Sequence, residues 1–132
     1  MAKRVLIVED DADVRESLRE SLEEEGYAVL GVASGREGLE AIAQESFCLV
    51  ISDYYMADMN GGVFVRTVLE RHPGVHQVLL TGADKKTVSM IGVPVLYKPV
   101  DYDSLMQVLE RHCGHQRLGE RNPQMAESAL AG

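Results

Sequence analysis

Five short apolar runs recur along the chain: RVLIV (4–8), YAVLGVA (27–33), FCLVIS (47–52), HQVLLT (76–81) and VPVLYKP (93–99). Runs this short, apolar and rich in β-branched residues predict strands buried on both faces. The intervening stretches carry apolar residues at helical spacing. Val14, Leu18 and Leu22 line one face of a helix over 13–26 that Gly26 ends. Ser34 and Glu37 stand at capping-box spacing ahead of Leu39, Ile42 and Ala43, which are expected on one inward face. Phe64, Val65, Val68 and Leu69 predict a third helix, stopped by Pro73, and Leu105, Val108 and Leu109 a last one over 101–114. The stretch 82–92 has room only for a short helix. Strand–helix alternation of this kind demands an α/β doubly wound architecture, a mostly parallel sheet covered on both faces.

A chain of 132 residues suits one domain. Residues 3–114 are expected to form it. Residues 115–132 lose the apolar period and predict a disordered or loosely attached tail. No apolar run approaches the roughly 18–20 residues of a membrane span, so no membrane insertion is expected. The opening MAKRVLIVEDD reaches its acids too early for a signal peptide, and a cytoplasmic location is the expectation. A formal net charge of -8 argues against direct nucleic-acid binding, which needs clustered Lys and Arg. Cys48 and Cys113 lie far apart without metal-ligand spacing and are read as small packing residues, not as a disulfide. The four histidines are scattered and read as surface positions near helix ends or in the tail.

Ligands of doubly wound sheets bind beyond the carboxyl ends of the strands. Here those ends carry Glu9, Asp10 and Asp11 after the first strand and Asp53 after the third. Thr81 ends the fourth strand, and Lys98 with Pro99 the fifth. Carboxylates packed together need a cation to stay ionised together. Oxygen donors favour Mg²⁺ or Ca²⁺, and a small site with room for water and phosphate favours Mg²⁺. A hydroxyl (Thr81) and a flexible point charge (Lys98) suit a phosphoryl group. Asp53 is then either a metal ligand or a nucleophile that forms an acyl phosphate. Asp11, at the start of a helix, reads chiefly as its N-cap.

The segments VLIVEDD, LVISDYYMADMNGG, VLLTGA and YKPVDYDSL, in this order, resemble the receiver domain of two-component response regulators over about residues 3–113. The resemblance implies a flavodoxin-like (βα)5 sandwich with strand order 2-1-3-4-5. It implies that Asp53 is the phosphoacceptor for a histidine kinase or histidine phosphotransfer protein. It further implies Mg²⁺ held by Glu9, Asp10, Asp53 and the Tyr55 carbonyl, with Thr81 and Lys98 on the phosphoryl group. A cis bond before Pro99 also belongs to the resemblance. Such a domain catalyses its own phosphorylation and dephosphorylation, yet acts mainly as a signalling switch toward a downstream protein.

The sequence departs from the family pattern in places. The stretch from Thr81 to Lys98 is several residues short, which implies a shortened fourth helix. Val95 replaces the usual switch aromatic, and Tyr97, on the same face by alternation, is a candidate substitute beside Thr81. Ala57 stands where the family carries proline, with a slightly looser loop as the expected result. The shortened segment also resembles receivers attached to hybrid kinases, so a free-standing and an attached receiver both fit. The alternative function is a phosphorylation-independent interaction module on the same fold.

Overall fold

The computed structural model describes residues 4–82 and 92–114. The expected short fourth helix and the expected tail lie outside the described residues. Strand β1 (Arg4–Val8) leads into helix α1 (Ala12–Glu24), β2 (Ala28–Val32) into α2 (Gly35–Gln44), and β3 (Leu49–Ser52) into α3 (Gly61–Arg71). Strands β4 (Gln77–Thr81) and β5 (Val95–Tyr97) and helix α4 (Tyr102–Cys113) follow. The five strands form one sheet in the order β2-β1-β3-β4-β5, and every neighbouring pair is parallel. The sequence reading of a doubly wound sheet in this order holds, with strand ends trimmed by one or two residues.

Strand alternation sorts the core into two layers. Val5, Ile7, Leu49, Ile51, Val78 and Leu80 face one way, against Leu18 and Leu22 of α1 and Leu105, Val108 and Leu109 of α4. Leu6, Val8 and Val50 face the other way, against Ala41 and Ile42 of α2 and Phe64 and Val68 of α3. Every residue of β1 from Val5 to Val8 is fully buried. Each such side chain contributes about 1.5–3 kcal/mol of transfer free energy, so the central strand is a fixed platform for whatever lies at its end.

The helices start where local chemistry directs them. Asp11 caps α1, accepting the N–H groups of Asp13 and Val14 at 3.0 and 3.2 Å. Ser34 Oγ accepts the Glu37 N–H at 3.1 Å, while Glu37 Oε1 reaches back to the Ala33 N–H at 2.9 Å. Two helical faces differ from expectation. Ala43 is exposed, and Gly38 and Ala41 take the inward face of α2. A Cβ on Gly38 would stand 2.9 Å from Val8 Cγ2 and 3.0 Å from Phe64 Cε1, so this helix lies too close to the sheet for a side chain there. Leu69 is 41% exposed, because α3 buries only the stripe of Phe64, Val65 and Val68.

The cysteine expectation is corrected outright. Cys48 and Cys113 form a disulfide, with Cα atoms 5.2 Å apart across a sequence separation of 65. Cys48 precedes β3 and Cys113 closes α4, and both segments end at the amino end of the sheet. That proximity is created by the parallel topology and leaves no trace in local spacing. The packing role survives alongside the bond, since Cys113 is 1% exposed within the core. Beside it, His76 and His112 are not isolated: their rings stack with centroids 4.2 Å apart.

Candidate functional site

Three charged residues each lie one position beyond a strand, and the sheet's hydrogen bonding continues onto them. The Glu9 N–H donates to the Val32 carbonyl at 3.0 Å, that of Asp53 to Val8 at 3.2 Å, and that of Lys98 to Thr81 at 2.9 Å. Their side chains are therefore aimed by the sheet itself. Lys98 Nζ donates to Asp53 Oδ2 at 2.9 Å and to Glu9 Oε1 at 3.2 Å. Glu9 and Asp53 are 3% and 7% exposed, so the two acids of the ion triad are largely removed from water. The Lys98–Pro99 peptide is cis, as the resemblance implied.

Burial is the main cause that raises the Glu9 carboxyl above its ordinary range, and the nearby Asp53 charge adds to it. The Asp11 N–H, 3.1 Å from Glu9 Oε2, and Lys98 pull the other way without winning. For Lys98, burial disfavours the charge, but the hydrogen bond to Asp53 and the attraction of both acids outweigh it and raise its pKa. One ammonium thus stands against two buried carboxylates and the exposed Asp10, which leaves negative charge in excess. The donor chemistry is all oxygen and anionic, which fits a hard divalent cation. Among the described residues, no group of three or more His, Cys, Asp or Glu is already arranged as a metal cage.

The loop after β3 is built around Asp53. Tyr55 N–H donates to Asp53 Oδ1 at 3.3 Å, and the exposed Tyr55 ring stands edge-on to Tyr54 at 5.1 Å. Gly61 opens α3 against this loop, its N–H 2.6 Å from the Tyr54 carbonyl. A Cβ there would meet the Tyr54 Cα at 2.6 Å and the Asp53 carbonyl at 2.8 Å, so only glycine allows the approach. Ala57, where a slightly looser loop is expected, has a partner outside its own loop. Its N–H donates to Asp10 Oδ2 at 3.0 Å, and the next residue, Asp58, accepts the Gly35 and Arg36 N–H groups of α2 at 3.0 and 2.9 Å. Those backbone donors hold the Asp58 carboxyl below its ordinary range.

Thr81 is fully buried at the end of β4, in register with Tyr97. Val95 is half-buried and packs near Val65 and Leu79, whereas Tyr97 is 37% exposed. Sequence reasoning missed Arg15, whose Nη1 donates to the Glu9 carbonyl at 2.7 Å while its stem crosses Gly31, where a Cβ would stand 3.1 Å from Cγ. It also missed Asp58. Both contacts join segments distant in sequence or bond to backbone groups, which residue patterns do not announce.

Comparison with known proteins matches this geometry. The model of the response regulator receiver domain family matches residues 5–110. The chain is 34% identical over 117 residues to the response regulator protein FleR of Pseudomonas aeruginosa, covering 85% of this chain and 25% of that protein. It is 35% identical over 111 residues to the transcriptional regulatory protein GlrR of Escherichia coli, covering 80% and 25% respectively. The chain thus spans about a quarter of the length of these relatives. Among solved structures, a CheY-like receiver domain protein from Methanospirillum hungatei superimposes with a TM-score of 0.78 at 30% identity, over 89% of this chain and 98% of that one. The response regulator TrrA of Thermotoga maritima, solved in complex with Mg²⁺ and BeF, gives 0.76 at 26% identity, over 83% and 97%. Among the described residues no helix is long and apolar enough to cross a membrane. With its strand order, its aspartate at the end of β3 and its lysine before a cis proline, the chain belongs to the response regulator receiver domain family of two-component systems.

Proposed function

We propose that this chain is a phosphoacceptor: Asp53 takes a phosphoryl group from the phosphohistidine of a histidine kinase or a histidine phosphotransfer protein. The observation that carries the reading is Lys98 Nζ held between Asp53 Oδ2 and Glu9 Oε1 at the carboxyl end of the sheet. A carboxylate oxygen of Asp53 forms the new P–O bond as the P–N bond to the donor imidazole breaks, and the imidazole leaves with the bonding pair. The product is an acyl phosphate. Lys98 is already in place to shift from the carboxylate to the phosphoryl oxygens, and Thr81 supplies a hydroxyl from the end of β4. Glu9, Asp10, Asp53 and the Tyr55 carbonyl are the residues that would hold Mg²⁺, which when bound neutralises charge on the transferring phosphoryl group. The switch that follows runs through Thr81, with Val95 and Tyr97 on the neighbouring strand, toward a downstream protein partner.

Incubation with Mg²⁺ and acetyl phosphate tests the reading by intact mass. Wild type is expected to gain one phosphoryl group, and Asp53→Asn none. Wild type that gains nothing with Mg²⁺ and acetyl phosphate present would sink the phosphoacceptor reading and favour a phosphorylation-independent interaction module.

A further inference from the structure

The ladder between β1 and β2 stops at Glu9. Its N–H makes the last rung, to the Val32 carbonyl at 3.0 Å, and among the described residues its own carbonyl accepts no backbone N–H. A carbonyl left over at a ladder's end passes to water or to a side chain. Here Arg15 of α1 takes it, Nη1 donating to the Glu9 oxygen at 2.7 Å. A hydrogen bond from a charged donor is short and roughly twice as strong as a neutral one. The half-buried arginine reaches the oxygen by lying over Gly31 of β2, where a Cβ would stand 3.1 Å from its Cγ and 3.3 Å from its Cδ. Stem and head are thus both held.

The oxygen that Arg15 holds belongs to the peptide joining Glu9 to Asp10. That unit is planar and rigid, so fixing its oxygen fixes the plane, and with it the directions in which the two side chains leave the backbone. Resting on the phosphoacceptor reading, in which Glu9 and Asp10 hold Mg²⁺, we infer that Arg15 is a positioning residue for the cation site. It locks the Glu9–Asp10 peptide and so keeps the two carboxylates in one fixed relation to each other. The positive charge of Arg15 works against this by repelling the cation, but between partly exposed charges such repulsion is screened. Losing a partner that orients a metal ligand typically weakens metal binding about 10–100-fold. The anchor therefore outweighs the repulsion.

Two variants separate the donor from the stem. Arg15→Met keeps an apolar stem over Gly31 and deletes the donor, whereas Arg15→Lys keeps a charged donor. Without metal, hydrogen exchange followed by NMR is expected to find the Glu9 amide about tenfold faster in Arg15→Met than in wild type, because the last rung frays once the next group is released. In the metal arm, Mg²⁺ is titrated at fixed ionic strength, well below each melting midpoint, while the fluorescence of Tyr54 and Tyr55 beside Asp53 is followed. Arg15→Met is expected to bind Mg²⁺ about tenfold more weakly, and Arg15→Lys to return to within about threefold of wild type. An arginine with a structural role alone would lower the melting temperature and leave the Mg²⁺ affinity of the folded protein unchanged. Arg15→Met that binds Mg²⁺ as tightly as wild type, or more tightly, overturns the inference, as does a Glu9 amide that exchanges equally fast in both. Wild type that binds no Mg²⁺ overturns the metal reading and the inference together, so the two failures are told apart. Should Arg15→Met not fold, wild type decides alone: an NMR coupling across the bond from Arg15 Nη1 to the Glu9 carbonyl upholds the anchor, and a freely rotating guanidinium overturns it.

Discussion

The two ends of the sheet are held by opposite means. At the carboxyl end, the buried Glu9 and Asp53 meet the partly exposed Lys98, and burial works against the charges of Glu9 and Lys98. At the amino end, a disulfide ties Cys48 to Cys113, Arg4 pairs with Glu45 at 2.7 Å, and His76 stacks on His112. The first end packs two acids around one ammonium; the second closes the fold. Such a division is physically sensible, because a cluster in which burial opposes charge needs a platform that does not depend on it. The shared strands, above all fully buried β1, are that platform.

The sharpest way to break this comparison is to disable each end separately. Asp53→Asn is expected to abolish phosphoryl incorporation from acetyl phosphate completely while leaving the melting temperature within a few degrees of wild type, read by intact mass and circular dichroism. Reducing the disulfide, or Cys113→Ser, is expected to do the reverse. Loop closure over a separation of 65 residues corresponds to about 4 kcal/mol in the chain-entropy model. That is a fall in melting temperature of about 10 °C or more for a domain of this size. Incorporation at Asp53, measured well below the new midpoint, should stay within about twofold, because the bond sits at the far end of the strands. If reduction silenced Asp53 without unfolding, the two ends would be coupled and the division wrong.

A subtler variant, Glu9→Gln, tests whether the carboxyl end is paid for in stability. A carboxyl whose pKa is raised by folding contributes stability that is full below its unfolded value, near 4.5, and is lost as pH rises through the folded value. At neutral pH the charge is therefore a cost. Glu9→Gln removes it and keeps one acceptor oxygen, enough for the Asp11 N–H, while Lys98 keeps its bond to Asp53. Metal-free Glu9→Gln is expected to be more stable than wild type by about 1 kcal/mol at pH 7 and equal to it below pH 4.5, by thermal melts across pH. The same variant should bind Mg²⁺ more weakly. A neutral variant less stable than wild type at pH 7 would show that the Lys98 pair outweighs the burial of Glu9.

The two ends also differed in how readily the sequence disclosed them. The strands, their layering and the helix faces of Val14, Leu18 and Leu22 follow from period alone, since burial repeats along the chain. Asp11 and Ser34 announce helix starts because a cap bonds within three residues. The charged strand ends are legible because isolated polar residues interrupt apolar runs. The amino end offered no such interruption: Cys48 and Cys113 are ordinary small residues in apolar context until the topology brings them together. Ala57 carried a contact of a different kind. Replacing a ring by a methyl group suggests freedom, but the N–H gained with it bonds a carboxylate 47 positions away. Leu69 and Ala43 carried the right period and the wrong rotation, because neighbouring helices, not the helix itself, decide how wide the buried stripe is.

The smallest expected effect tests the amino end by pH. Burial lowers the His112 pKa first, and the nearby His76 and Arg111 charges lower it further. The neutral imidazole is thus the form that folding favours. Its contribution to stability is full above the unfolded value near 6.5 and is lost as pH falls through the lower folded value. This is the opposite sign to Glu9: acid weakens the amino end, whereas rising pH weakens the carboxyl end. His112→Gln cannot take up the proton, so the acid-side decline between pH 6.5 and the folded value should flatten. The change is expected to stay below the roughly 1.4 kcal/mol of a full pKa unit, since His112 is only partly buried. The fitting measurement is urea unfolding at closely spaced pH values with the disulfide intact, because the covalent bond then holds α4 in place and isolates the ring pair. If wild type and His112→Gln lose stability in parallel on acidification, the stacked histidines carry none of the pH response, and the disulfide with its surrounding core closes that end alone.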